Sequence, residues 1–287
     1  MMYHLWGRLG WNDILQRYRR SFLGPLWLTI SMAVLIGALG LLYAKLFKVD
    51  VAEYVPFLSI GFVLWQLISG ILLDGCNVFV HSEGIIKQIK LPLSLHVYRV
   101  LWRNFLTLLH NSVVVIFVMV YFNIGVNLDT LLALVGTFFI IINGGWFSFL
   151  LGMLCARYRD LNPTIASLVT LSFFLTPIIW NPSLIPDRAF ILLYNPFFHF
   201  VESVRAPLLG QPVQVETWWV LTSITILKVD GSCTMRACLR TATRVPHRSL
   251  PSLHFSVCCH GLVFRADVVT MFFFFSAASF FFACLFF

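Results

Sequence analysis

His110 and Asn111 stand side by side inside an apolar run, and a carboxylate, Asp74, sits near the end of another. Ionisable groups within a membrane-length apolar stretch are costly to keep there, so they are the first places to look for chemistry. His110 fits a proton relay or the polar lining of a path. It also fits a helix-to-helix hydrogen bond with Asn104, Asn111 or Asn143, which is the commoner use of such residues in helix bundles. A proton-coupled carrier places carboxylates near the middle of its spans, and none falls there. The chain also lacks the G-x-x-x-x-G-K-[ST] loop that cradles nucleotide phosphates, so any ATP-driven work has to come from another subunit. In the tail, Cys233, Cys238, Cys258 and Cys259 with His247, His254 and His260 match no zinc-ligand spacing. No acid, base or nucleophile cluster gathers at one face, so neither a metal site nor a catalytic residue is expected. Trp65, Trp146 and Trp180 lie within or at the end of apolar runs. Their rings suit stacking on sugar faces along a path, or the interfacial belt and lipid-facing packing that aromatic residues also form.

The elements that must carry these residues follow from composition. Of 287 residues, 59% are hydrophobic and 11% charged, with mean hydropathy +0.87, far from a soluble domain of this length. The net charge of +8 does not point to nucleic acid, because the basic residues flank apolar runs instead of forming a tract of their own. A span takes about 20 predominantly apolar residues, and five stretches meet that requirement: 26–47, 56–76, 103–122, 131–156 and 164–181. A sixth begins at Trp218 and is interrupted by Lys228, Asp230 and Gly231. The predicted fold is an all-α, polytopic helix bundle with five spans and a truncated sixth. Ahead of the first span, Trp11, Leu15, Tyr18 and Phe22 share one helical stripe while Arg17 and Arg20 point away. That is the pattern of an amphipathic helix lying on the membrane surface.

Sidedness comes from the basic residues. With the N-terminus cytoplasmic, the inner segments hold Arg8, Arg17, Arg19, Arg20, Lys87, Lys90, Arg99, Arg103, Arg157 and Arg159. The outer ones hold only Lys45, Lys48, Arg188 and Arg205. This asymmetry predicts a cytoplasmic N-terminus. Loop 77–102 is then cytoplasmic and includes a short mixed helix from Glu83 to Lys90, suited to docking a partner. Segment 182–215 is external; its prolines (Pro182, Pro186, Pro196, Pro207, Pro212) and apolar stretches predict short helices dipping into the outer interface.

Four of these segments, in this order, resemble the permease subunits of ABC-2 type transporters that export O-antigen, capsule or teichoic acid polymers. Arg17-Tyr18-Arg19-Arg20-Ser21-Phe22-Leu23-Gly24-Pro25-Leu26-Trp27 is similar to that family's interface helix and first span. Glu83-Gly84-Ile85-Ile86-Lys87 with Leu91-Pro92 resembles its cytoplasmic coupling region. Ala156-Arg157-Tyr158-Arg159-Asp160-Leu161 resembles its turn between spans four and five. Asn195-Pro196-Phe197 through Glu202 and Arg205 resembles its external gating helices. The resemblance covers residues 3–227. It implies six membrane helices per subunit, a homodimer around a path, separate ATPase subunits that bind the ATP, a lipid-linked glycan as substrate, and multi-pass insertion in the bacterial inner membrane. It further implies that Arg17, Arg20, Glu83, Lys87, Arg157, Arg159 and Asp160 couple to the ATPase. Trp65, Trp146, Trp180, Asn195, Pro196, Phe197, Glu202 and Arg205 would line or gate the path. The chain itself is then a transport subunit without an enzymatic site or cofactor of its own, in contact with membrane lipids and not with nucleic acid.

From Lys228 the resemblance ends and composition shifts to Cys, Arg, Ser, Thr and Phe. Residues 1–227 read as an ABC-2 permease domain, and 228–287 as a frame-shifted or disordered tail. Two other functions stand beside export: a membrane-embedded transferase acting on lipid-linked sugars, which needs a reactive cluster at one face, and a non-functional, frame-shifted permease.

Overall fold

A computed structural model describes residues 26–88, 91–125, 127–182 and 194–226, together with 7, 9–13, 15, 24 and 192. The chain divides into two units, Met1–Trp219 and Val220–Phe287. Among the described residues all regular structure is helical, so the protein is an all-α polytopic bundle. Among the described residues, four helices are long and apolar enough to cross a membrane. In the first unit the helices are α1 (Leu26–Phe47), α2 (Val51–His81), α3 (Glu83–Gln88), α4 (Leu93–Tyr121), α5 (Leu132–Arg157), α6 (Leu161–Leu175) and α7 (Pro196–Leu208). A 3-10 turn, Leu128–Leu131, leads into α5. Residues 215–219 are helical and close the unit. The second unit is described only at 220–226, also helical. The tail expectation for 228–287 lies outside the described residues.

The middle of the bundle is α2, the most buried of the four long helices. It starts at Asp50, whose carboxylate accepts the Ala52 N–H at 3.2 Å, a side-chain N-cap. Its far half packs on α5 along a stripe of small residues. Gly144, Ser148 and Gly152 recur every fourth residue and so share one helix face, opposite Ile71, Gly75 and Val78. A Cβ built on Gly75 would lie 2.7 Å from the Ser148 Cα, and one on Gly152 would lie 2.5 Å from Val78. Small residues let the backbones approach, and the Ser148 hydroxyl donates to the Ile71 carbonyl at 2.9 Å across that contact.

Two of the expected spans are parts of longer helices. The windows 56–76 and 103–122 take the most apolar stretches, but the helices run on to His81 and back to Leu93. The expected loop 77–102 therefore shortens to the link 82–92 around α3. Hydropathy falls at Asp74, Arg99 and Arg103, whereas helical backbone geometry tolerates these residues. The fifth stretch differs in the other direction. The range 164–181 resolves into α6, which ends at Leu175, because Thr176 precedes a proline and takes an extended ψ of 134°. Its 15 residues reach ~22 Å, short of the ~30 Å hydrocarbon core.

Candidate functional site

The polar chemistry of the bundle collects at two ends of α2. At the C-terminal end, the N-terminal helical segment docks on α4. Gly10 is buried there, its Cβ position 2.9 Å from the Trp102 ring. Asp13, three residues further on, faces α4 as well and takes a two-pronged bond from Arg99, with the Nε–H donating to Oδ2 at 2.6 Å. Arg103, one turn along, approaches Asp13 at 3.9 Å and Asp74 of α2 at 2.8 Å. Asn104 closes the set by donating to Asp74 at 2.9 Å. Two carboxylates and two guanidinium groups thus form one charge-balanced joint of the N-terminal segment, α2 and α4, with Asp13 only 15% exposed. Sequence pattern marks Arg99 and Arg103 only as orientation signals and gives Asp74 no partner. Asp13, an acid within a basic amphipathic helix, is the signal in the sequence that points to this joint.

Beside this joint lie most of the residues expected to couple to an ATPase. Glu83 and Lys87 pair one turn apart on α3, both exposed. Arg159 sits within electrostatic reach of Glu83. Asn162, at the start of α6, donates to Asn77 of α2 at 2.6 Å, which holds the α5–α6 turn against the end of α2. Arg157 bonds the Tyr158 hydroxyl at 3.2 Å, and the exposed Asp160 accepts the Thr164 hydroxyl through its carbonyl at 3.1 Å. Exposed Trp11 and Leu15 fit the amphipathic pattern. Arg17 and Arg20 lie outside the described residues.

At the other end of α2, α7 is seated by its own first and third turns. Asn195 caps it, accepting the Phe197 N–H at 3.0 Å and donating to the Thr176 hydroxyl at 3.2 Å. Pro196 fills the first helical position, where its missing N–H costs nothing. Arg205 is 2% exposed. It donates to Glu202 through Nε at 3.1 Å and through Nη2 at 2.5 Å, donates to the Pro177 carbonyl through Nη1 at 2.6 Å, and stacks 4.1 Å above the Phe57 ring. One side chain thereby holds α7, the 176–180 segment and α2 together.

The aromatic candidates separate. Trp65 and Phe197 meet at 5.6 Å between ring centroids, with Phe173 against Trp65 at 5.8 Å, so Trp65 is packed inside the bundle. Trp146 stacks edge-on against Phe147, and the Trp180 N–H donates to the Phe174 carbonyl at 3.1 Å. His110 bonds the Leu106 carbonyl of its own helix at 2.8 Å. The helix-to-helix bonds here come from neighbours: Asn111 to Gln66 at 2.6 Å, and Thr29 to the His110 carbonyl at 3.1 Å. No group of three or more potential metal ligands occurs among the described residues.

Known proteins share this chain's sequence over the same region. An O-antigen export system permease protein, RfbA, of Klebsiella pneumoniae is 25% identical over 203 residues, covering 68% of this chain and 76% of the relative. Its namesake in Myxococcus xanthus is 23% identical over 206 residues, with the same coverage. The profile of a family described as the ABC-2 type transporter matches residues 4–209, a stretch that takes in the N-terminal segment, the four long helices, α6 and α7. This multi-pass membrane protein belongs to the ABC-2 type transporter family.

Proposed function

We propose that this protein is the transmembrane permease of an ATP-driven exporter that moves a lipid-linked polysaccharide of the O-antigen or capsule type across the bacterial inner membrane. The observation that carries the reading is the alignment to permeases named for O-antigen export. The two-ended distribution of polar groups supports it. Phe57, under Arg205, and Asp74 are 17 positions apart on one helix, or ~26 Å, close to the ~30 Å of a hydrocarbon core. That separation suits an Arg205 anchor and a charge joint at opposite membrane faces. In the proposed orientation the N-terminus and α3 are cytoplasmic, and a homodimer encloses the path.

ATP is bound by a separate ATPase subunit, which docks on Glu83, Lys87 and the turn carrying Arg157, Arg159 and Asp160, with Arg17 and Arg20 on the membrane surface beside them. The charge joint then transmits the stroke, because a force on the N-terminal segment is carried through Asp13 and Arg103 to Asp74 of α2. Residues 1–227 are assigned to the permease domain. The transferase reading gains no support from the joint, where both carboxylates are committed to guanidinium groups.

The test is copurification with a candidate ATPase followed by ATPase assay. The permease alone hydrolyses no ATP, and replacing Glu83 and Lys87 together by alanine lowers the stimulated rate while membrane insertion is unchanged. Unaltered stimulation in that double variant would remove α3 from the contact.

A further inference from the structure

Beside the Arg205 anchor lies a cavity of about 250 Å³, bounded by the α1–α2 link, the start of α2, α7 and the segment after α7. Its walls mix the rings of Tyr54, Phe57 and Phe198 with the polar ends of Glu53, Gln211 and Gln214. We infer that this cavity receives one neutral pyranose ring of the glycan as it leaves the bundle. The inference rests on the exporter reading and narrows its substrate class.

Three features select that occupant. The first is size: drug-sized ligands occupy pockets from about 300 Å³ upward, so there is room for a single ring and not for a folded chain. The second is the lining. A pyranose presents an apolar C–H face, which aromatic rings cover, and a rim of hydroxyls that both donate and accept. The exposed side-chain amides of Gln211 and Gln214 do the same, and the exposed Glu53 carboxylate accepts. An alkyl chain offers those groups no hydrogen bond in place of any water it displaces.

The third feature is charge, and it excludes the anionic polymers. Arg205 is the cation of the lining, and each of its three nitrogens already donates, to Glu202 or to the Pro177 carbonyl. Glu202 occupies the Nε–Nη2 edge, and the two N–H groups that remain sit on a side chain only 2% exposed. Glu53 and Glu202 together outnumber Arg205, so an anion entering the cavity meets repulsion without a compensating pair.

The experiment uses the full chain in unsealed membranes, with Gln214→Cys and, separately, Gln211→Cys as reporters. Asp129→Cys serves as control, since Asp129 is exposed on the 3-10 turn and does not line the cavity. The rate of modification by a small water-soluble thiol reagent is read by peptide mass at each position, with mannose, galactose or rhamnose present, and with glucuronate or inorganic phosphate for comparison. At least one neutral sugar slows modification at 214 or 211 several-fold and leaves 129 unchanged, while the anions protect neither reporter. Absence of protection by every neutral sugar overturns the inference, as does equal protection by phosphate or glucuronate. A parallel export assay separates the two readings. Export without protection removes the sugar site and leaves the exporter, whereas protection without export supports the sugar site and counts against the exporter.

Discussion

Arg205 shows how far a residue's meaning depends on burial. Three positions after Glu202 on a helix, it reads in the sequence as a surface pair contributing a few tenths of a kcal/mol. Nothing local reveals that Phe57 and Pro177, from distant segments, enclose it until it is 2% exposed. Removing one partner of a buried pair costs about 3–5 kcal/mol, because the other charge stays behind unpaired. Arg205→Met is therefore expected to destabilise the bundle by about that amount in detergent unfolding, and a loss under about 1 kcal/mol would show the pair to be effectively solvated. The Asp13 contact makes the same point across 86 positions of sequence. A double-mutant cycle on Asp13→Asn and Arg99→Gln should return a coupling energy of about 0.5–3 kcal/mol. Additive losses would mean that the two side chains do not hold the N-terminal segment to α4.

Helices were legible in the sequence as apolar runs, and their ends were not. A hydropathy window reports where side chains prefer lipid, whereas the helix continues until backbone chemistry stops it. At α6 the stop is Pro177 acting on Thr176. The proline was in view, but the apolar residues around it extended the window past it. Crossing points between helices were equally hidden, since small residues spaced four apart show a face without showing its partner. Gly75 is the sharpest case, because the Ser148 backbone lies where its Cβ would go and cannot rotate away. Gly75→Val is expected to cost about 1–3 kcal/mol by overpacking. Gly84→Val, on exposed α3 with no atom within 4 Å of its Cβ position, should change stability by less than about 0.5 kcal/mol, as surface substitutions usually do. Equal losses at the two positions would show that the α2–α5 approach is not tight.

For the molecule as a whole, the asymmetry of basic residues predicts a sidedness. The structure then gives that asymmetry a physical partner by gathering Arg99 and Arg103 at the Asp74 end of α2 and Arg205 at the other. Cysteines introduced at 12 and 85 should resist an impermeant reagent in intact cells while one at 52 reacts; the reverse pattern inverts the topology. The four motifs that carry the family resemblance are visible because each is a short run of charges, prolines and aromatics close together in sequence, and the profile match over 4–209 takes in all four. The joint between them was not visible, because its members are spread over three helices.

A version of the chain in which the helix beginning near Trp218 runs on as a full apolar span should export better than the chain as it stands, since a truncated span leaves half a bilayer uncrossed. The most direct measurement is ATP-driven movement of a lipid-linked glycan in sealed vesicles reconstituted with this permease and its ATPase partner. Movement is expected only when both proteins and ATP are present, and it should fall in the Glu83/Lys87 double variant. Glycan movement by the partner alone, or none from both proteins together even with the last span completed, would contradict the account.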